Sequence, residues 1–197
     1  MRGWSSGSFY GAAYHRIVDG TITRIATQVP GSVLLYNVFQ NGGRSWSTGS
    51  EIVWQQTVSR SVSLGANANA YRRTIGAFSV VNQYPVPVRY SAPREQLTSG
   101  NAKLNASLRL ARDWQVQVAN VYLAPDLLPQ GRVESRFSLD VGLKKAVQRG
   151  RGEIVVNGTD LLNTNQARRT IRGTDFTVVS TDYLETQVIR AGYNWKF

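Results

Sequence analysis

The sequence predicts an all-β fold, an antiparallel up-and-down transmembrane β-barrel of which the chain supplies about nine strands. Three observations favour this class. Apolar and polar residues alternate with a period of two in the clearest segments, as they do along a strand with two different faces. The connections between these segments are alternately short and long, and the polar positions of the alternation are mostly small and uncharged.

Five segments alternate clearly. The stretch NAKLNASLRL at 101–110 places an apolar residue at every second position, with Asn, Lys, Ser and Arg between them. The same period is present at 61–71, 114–118, 136–144 and 189–197. Weaker strands are predicted at about 7–17, 21–38, 45–57 and 152–160, where the alternation is blurred. No stretch predicts a helix.

The predicted connections differ in length at the two ends of the strands. Short turns are expected near 18–20, 58–60, 112–113 and 149–151. Long connections are expected at about 37–45, 74–96, 124–132 and 163–182. Outer-membrane barrels have short periplasmic turns and long extracellular loops. The asymmetry therefore predicts which strand ends face the periplasm and which face the outside.

A soluble sandwich or barrel also alternates apolar and polar residues, so two further features are needed to favour the membrane. A sheet facing bulk water usually carries Lys, Glu and Thr on its polar side, whereas Asn, Ser, Gln and Gly suit a crowded or water-filled lumen. Aromatic residues are also expected to form two interfacial girdles. The short-turn girdle comprises Trp114, Trp195 and Phe197, and the long-loop girdle comprises Tyr71, Tyr90 and Tyr122.

Several longer stretches follow one another in a recognisable order. YHRIVDGTITRIATQ is a strand, an Asp-containing turn and a strand, and NVFQNGGRSWSTGSEIVWQQTV is an Asn-Gly loop before a Gly-x-Glu strand. LAPDLLPQGRVESRFSLDVGLKKAV is a loop and a strand, and GEIVVNGTDLLNTNQ contains an Asp-Leu-Leu-Asn-Thr turn. VIRAGYNWKF ends on an aromatic residue. In this order the stretches resemble the carboxy-terminal barrel of TonB-dependent outer-membrane receptors, especially the outer-membrane β-barrel type common in Bacteroidota.

The resemblance implies that residues 1–197 are the carboxy-terminal part of an outer-membrane β-barrel domain of a Gram-negative bacterium, with the signal peptide and the plug domain absent. The expected function is that of a receptor fragment taking up a siderophore, a vitamin or an oligosaccharide. TonB would be reached only through the missing amino-terminal region. Two alternatives stay open: a complete small barrel of about 8 or 10 strands acting as an adhesin or pore, and a soluble β-protein that binds a polyanion.

The resemblance also gives the last strand a role. In this family the barrel assembly machinery reads a terminal strand with apolar residues at alternate positions and an aromatic last residue. The residues expected to face lipid and carry this signal are Ile189, Ala191, Tyr193, Trp195 and Phe197.

The net charge of +11 favours anionic partners. Arginine suits phosphate and carboxylate because its guanidinium presents a planar fork of donors. Contacts to an anionic ligand or to lipopolysaccharide are therefore predicted for Arg132, Arg136, Arg168, Arg169 and Arg172; plain solvated loop charge is the alternative. Nucleic acid is not an expected partner, because the basic residues are dispersed.

No motif predicts catalysis or a cofactor. The chain has no cysteine and one histidine, His15, which excludes thiolate and multi-histidine metal sites. A Ser-His mechanism lacks an identifiable residue to orient the base. The charged residues expected to point into the lumen are assigned a structural role, pairing across neighbouring strands: Lys103, Arg109, Asp140, Lys144 and Arg190. The chain is therefore not expected to be an enzyme.

Overall fold

The computed structural model describes residues 2–197 and contains only strands and a 3-10 turn at Gln148–Gly150. Within these residues no helix has the length and apolarity needed to cross a membrane. The strands are β1 (Arg2–Trp4), β2 (Gly7–Asp19), β3 (Ile22–Gln28), β4 (Leu35–Asn41), β5 (Arg44–Ser59), β6 (Val62–Ile75), β7 (Phe78–Asn82), β8 (Val88–Ala92), β9 (Glu95–Arg109), β10 (Trp114–Leu123), β11 (Asp126–Leu128), β12 (Gly131–Val133), β13 (Arg136–Val147), β14 (Gly152–Thr159), β15 (Ala167–Arg172), β16 (Thr177–Asp182) and β17 (Val188–Trp195).

The main sheet has nine strands in the order β1-β2-β5-β6-β9-β10-β13-β14-β17. All neighbours pair antiparallel, and each long strand pairs with the next long strand along the chain. This is the predicted up-and-down topology, and the all-β fold class is confirmed. Strands β1 and β17 are the two edges, and no pairing joins them within residues 2–197.

The register gives the main sheet two chemically different faces. Leu104, Leu143 and Ile154 lie on the same face of the sheet in this register, here called the apolar face, and all three are exposed. The opposite face, here called the polar face, carries Gln117 and Asn157, which border a shallow groove together with other small polar residues. Large exposed apolar side chains along one face are what a lipid-facing barrel wall requires.

The long connections form a second structural unit, here called the loop layer. It consists of the β3–β4 hairpin, the β7–β8 hairpin and the four-stranded sheet β11-β12-β15-β16. Its core contains Ile25, Tyr90 and Ala92, with Phe78 and Val80 packed against them. The apolar core of the molecule therefore lies in the loop layer rather than beneath the main sheet.

The predicted strand at 21–38 and the predicted short turn at 18–20 are wrong. Strand β2 continues to Asp19 and pairs with the start of β5, so Gly20 lies at the long-connection end. The chain leaves and re-enters the main sheet at Gly20 and Gly43, which both have positive φ and are joined by a backbone hydrogen bond of 3.1 Å. Between them β3 and β4 form a hairpin. The main sheet still has the predicted nine strands, because the short strand β1, which was not predicted, replaces the predicted strand at 21–38.

The girdle prediction is half confirmed. Trp114 and Trp195 lie on the apolar face near the short turns, where Lys145 and Arg151 stack over their rings at 4.8 and 6.0 Å. Tyr122 is exposed on the same face at the other end. Tyr71 is misassigned, because its odd position in β6 places it on the polar face. Tyr90 is misassigned too, since it is 7% exposed in the loop-layer core.

Candidate functional site

The hairpins of the loop layer are tied together by two buried amides. The Gln130 side chain, 4% exposed, accepts a hydrogen bond from the Ala26 N–H and donates one to the Ala26 carbonyl, both at 2.7 Å. Asn82 is fully buried and donates to the Ile25 carbonyl at 3.1 Å and to the Thr27 hydroxyl at 2.9 Å. Buried amides with satisfied partners specify one arrangement, so the loop layer is a defined structure.

A carboxylate ties the loop layer to the main sheet. Asp126 in β11 accepts hydrogen bonds from the Tyr71 hydroxyl and the Arg73 guanidinium, both at 2.7 Å. Tyr71 and Arg73 stand at the long-connection end of β6 on the polar face. Because Asp126 is directly opposite Val133 in the register, the Val133 face of the four-stranded sheet turns toward the polar side.

The five predicted arginines are divided between two faces. In the four-stranded sheet Arg132 is opposite Thr170, which places it on the face opposite to that of Val133 and Arg169. Arg168 and Arg172 alternate with Arg169 along β15 and share the face of Arg132. Arg136 is opposite Leu123 in the polar register of the main sheet. The outward set is therefore Arg132, Arg168 and Arg172, and the inward set is Arg136 and Arg169.

Two arginines of the outward set border an open groove of 710 Å³, and the third, Arg172, lines a separate pocket beside Gln130 and Tyr90. Arg132 and Arg168 line the groove together with polar residues of the 163–166 turn. Arg132 also pairs with Glu134 at 3.2 Å. Both arginines are exposed.

The inward set borders a different cavity of 460 Å³, here called the inner cavity. Arg136 and Arg169 line it with a third arginine, Arg24 of β3. Arg169 pairs with Asp182 at 3.0 Å, and Arg24 stacks over the Phe39 ring at 4.9 Å. No ion pair or side-chain hydrogen bond involves Arg136 within residues 2–197. Arg24 is not among the predicted arginines, because the sequence of the 21–38 segment predicts a strand of the barrel wall.

The Asp-Leu-Leu-Asn-Thr turn is built around one buried carboxylate. Asp160 is 1% exposed and accepts hydrogen bonds from the Thr186 hydroxyl at 2.6 Å and from the backbone N–H groups of Thr164 and Asn165 at 3.1 and 3.2 Å. Burial raises the pKa of Asp160, but these three bonds lower it by more, so the pKa lies below its usual value. The turn borders the outward groove and holds its polar wall in place.

The terminal strand pairs with β14 in a register that aligns Tyr193 with Ile154 and Ala191 with Val156. The structure therefore places four of the five predicted residues on the apolar face: Ile189, Ala191, Tyr193 and Trp195. Phe197 follows the end of β17 and is fully exposed. The Tyr193 hydroxyl donates a 2.7 Å hydrogen bond to Gln148 at the neighbouring short turn. Recognition by an assembly machinery remains a prediction.

Charges on the polar face pair differently from the expectation. Lys144 pairs with Glu153 at 2.7 Å, a carboxylate that also lies 3.6 Å from Lys196. Asp140 binds no cation; it accepts the Asp160 N–H at 2.8 Å and the Ser138 hydroxyl at 3.1 Å. In the described part of the chain no ion pair involves Lys103, Arg109 or Arg190. In place of the expected network, the structure has one cross-strand ion pair, Lys144–Glu153, and one carboxylate, Asp140, that accepts a backbone N–H of the Asp160 turn.

His15 lies on the apolar face, where its Nδ1 is 2.7 Å from the Thr48 hydroxyl oxygen. Thr48 is its direct cross-strand partner. Among residues 2–197 no three His, Cys, Asp or Glu side chains are grouped as metal ligands. The groove and the inner cavity present arginine and amide side chains.

Comparison with known proteins identifies the class of the barrel. Residues 3–195 match the family model described as the outer membrane protein beta-barrel family. Neither the curated proteins nor the solved structures give a match. The match covers nearly the whole chain and fits the antiparallel strands and the exposed apolar face, so the chain is located in the outer membrane. This chain belongs to the outer membrane protein beta-barrel family.

Proposed function

We propose that the chain forms part of the barrel wall and outer loops of a TonB-dependent receptor that imports a siderophore, a vitamin or an oligosaccharide. The observation that carries this proposal is the open main sheet. Its edges β1 and β17 are not paired with each other within residues 2–197, and unpaired backbone groups are too costly to leave in lipid. Further strands of a larger barrel would pair with both edges. The collinear family motifs support the same proposal.

A complete small barrel is the second candidate, and one observation favours it. Without the three-residue β1, the main sheet contains eight long strands, and single-chain bacterial barrels have an even number. Strand β2 begins and β17 ends at the short-turn end, so the two are oriented for antiparallel closure. A protein of this kind would act as an adhesin or a passive pore.

Cysteine pairs distinguish the two candidates, because the chain has no cysteine of its own. Cys at Ala191 of β17 would be combined with Cys at Phe9, Gly11 or Ala13 of β2, in the full-length protein in its own outer membrane. Cys at Val156 and Ala191, which are direct partners, gives the positive control. The receptor proposal predicts a disulfide in the control only, because strands of a larger barrel separate β2 from β17. Disulfides between β2 and β17 would establish the small barrel instead.

Energy coupling is tested separately by uptake. Ferric siderophores, cobalamin and oligosaccharides would be offered to cells with the protein, without it, and without TonB. The proposal expects one ligand whose uptake is lost in both deletion strains. Uptake that persists without TonB would assign a passive pore.

Three contacts complete the proposal. The outward arginines would bind lipopolysaccharide phosphates, the apolar face would contact membrane lipid, and the terminal strand would be recognised by the barrel assembly machinery. We assign no catalytic activity and no nucleic-acid partner. His15 supports the first of these two assignments, because its neighbour across the strand is the hydroxyl of Thr48 rather than a carboxylate, and a general base needs an orienting partner.

A further inference from the structure

We propose that the inner cavity is a binding site for a small organic anion, one that carries a carboxylate or phosphate group on an apolar body. This inference rests on the proposed function, since it names the class of ligand that the receptor would accept. The cavity measures 460 Å³, which is within the range of ligand pockets, about 300–1,000 Å³.

Three separate elements bring their arginines to this cavity. Arg24 comes from the β3–β4 hairpin, Arg136 from the top of β13 and Arg169 from β15 of the four-stranded sheet. The Gln130 amide, which binds the Ala26 backbone at 2.7 Å, fixes the hairpin against the four-stranded sheet. The backbone segments that carry Arg24 and Arg169 are therefore held together by buried hydrogen bonds.

The charge of the inner cavity is not balanced by its surroundings. Asp182 pairs with Arg169 at 3.0 Å, and Asp126 is already engaged by Arg73 and Tyr71 at 2.7 Å. No carboxylate pairs with Arg24 or Arg136 in the described range 2–197. Two guanidinium groups without a carboxylate partner, Arg24 exposed and Arg136 half-buried, give the cavity a positive charge that favours an anion.

The remaining lining determines what kind of anion fits. Leu128, Pro129, Val133 and Ile171 supply an apolar wall, and Thr23 and Asn37 supply neutral polar groups. A bare inorganic ion would leave the apolar wall without contacts. An organic anion would place its apolar body there and its charged group on the planar forks of the arginines, which suit carboxylate and phosphate.

Binding of simple probes by the protein in lipid vesicles tests the inference. Phenyl phosphate and benzoate carry the expected charge on an aromatic body, and benzamide is the uncharged match. Inorganic phosphate tests the charge alone. Calorimetric titration is expected to show saturable binding of the two aromatic anions, with benzamide and inorganic phosphate at least about tenfold weaker, because each loses one of the two contacts.

Variants locate the site. Arg136→Gln is expected to weaken phenyl phosphate binding by about tenfold, and Arg136→Lys by less, because lysine keeps the charge but loses the fork. Arg24→Gln is a second, independent variant. Arg24 lies in the β3–β4 hairpin, so a folding defect caused by changing Arg136 in β13 would not affect this test. Arg60→Gln removes the same charge from the exposed turn between β5 and β6, at the other end of the main sheet, and should leave binding unchanged. Heat-modifiable migration on a gel checks that each variant is folded.

The inference is overturned if the native protein binds neither aromatic anion, or if Arg60→Gln weakens binding as much as Arg136→Gln and Arg24→Gln do. The outcomes separate this inference from the receptor proposal. Binding that depends on Arg136, in cells whose uptake does not require TonB, would support the inner cavity as an anion site and reject the receptor. TonB-dependent uptake with no effect of Arg136→Gln on probe binding would support the receptor and reject the inner cavity as an anion site.

Discussion

The Arg73 guanidinium donates a 2.7 Å hydrogen bond to Asp126, which joins the end of β6 to the first strand of the loop layer. The Arg73 and Asp126 side chains are 35% and 20% exposed, so water screens the pair only in part. The same carboxylate oxygen accepts the Tyr71 hydroxyl at 2.7 Å. One residue of the loop layer therefore satisfies two polar groups of the barrel wall.

Replacing Asp126 by alanine is expected to loosen the loop layer while the main sheet remains folded. The change removes the acceptor of the Tyr71 hydroxyl and leaves Arg73 only its 3.5 Å hydrogen bond to the Ser47 hydroxyl, at a cost of about 1–3 kcal/mol. Trypsin should then cleave faster after Arg132 and Arg168. The matched control is Asp19→Ala, because Asp19 pairs with Arg44 at the surface, with both side chains more than 60% exposed, and such pairs are worth about 0–1 kcal/mol. Equal cleavage of the two variants would show that Asp126 is not an anchor.

Gly131→Ala tests the close packing of β12 on β15. Gly131 has a φ of +141°, and a Cβ atom there would lie 1.9 Å from the Thr170 carbonyl oxygen. The backbone has to move, and we expect a loss of about 1–3 kcal/mol in the four-stranded sheet. Hydrogen exchange of the β12 and β15 amides measures it. Gly192→Ala is the control, since no heavy atom is found within 4 Å of its Cβ position. Unchanged exchange in Gly131→Ala would mean that the sheet accommodates the side chain.

The barrel wall could be predicted from the sequence because each wall strand obeys one simple pattern. Residues 101–110 alternate without interruption, and the structure has β9 running to Arg109. Lipid on one side and a lumen on the other demand two different faces along the whole strand, so the period of two survives.

The loop layer could not be predicted in the same way. Its strands pack on one another rather than on lipid, so neither face is uniformly apolar, and the 21–38 segment looked like one blurred strand. Its inner cavity joins residues as distant as Arg24 and Arg169, and only tertiary packing brings them together. The division of the arginines between two faces likewise follows from the register of β12, β15 and β16, which sequence alone does not specify.

The Asp160 turn is expected to lose stability in acid. Its pKa in the folded chain lies below the usual value of 3.8, so the carboxylate contributes stability that is fully present above pH 3.8 and is lost as the pH falls through the folded pKa. Hydrogen exchange at Thr164 and Asn165, corrected for the intrinsic rate, should therefore accelerate below that pH. Asp160→Asn should exchange faster at neutral pH and show no such transition. The same acid transition in Asp160→Asn would assign it to another group.

Lipopolysaccharide contact is expected to depend on the outward arginines. The double variant Arg132→Gln and Arg168→Gln should retain several-fold less lipopolysaccharide after purification, because two phosphate-binding forks are removed. Arg136→Gln, which removes an inward charge, is the control. Glu134→Gln should increase retention, since Glu134 pairs with Arg132 at 3.2 Å and competes with phosphate. Equal amounts of retained lipopolysaccharide in all these variants would show that the outward arginines are solvated loop residues that do not bind it.

The last prediction concerns Phe197 and the insertion of the barrel. Phe197 follows β17, is fully exposed and continues in the sequence the alternation of Tyr193 and Trp195. Phe197→Ser removes an aromatic ring that makes no packing contact in the core, so the folded wall should lose little stability. If the assembly machinery reads this residue, the variant of the full-length protein should reach the periplasm but insert less into the outer membrane.

Asn194→Ser separates recognition from a general effect of changing the terminal strand. Asn194 pairs with Glu153 in the polar register, so its side chain is turned away from the apolar face, and insertion should stay normal. The amount of heat-modifiable protein in outer-membrane fractions measures insertion, and the periplasmic amount reports export. Reduced insertion of Phe197→Ser together with normal insertion of Asn194→Ser would mean that the exposed terminal aromatic acts during assembly. Full insertion of Phe197→Ser would leave the apolar alternation of β17 as lipid contact alone.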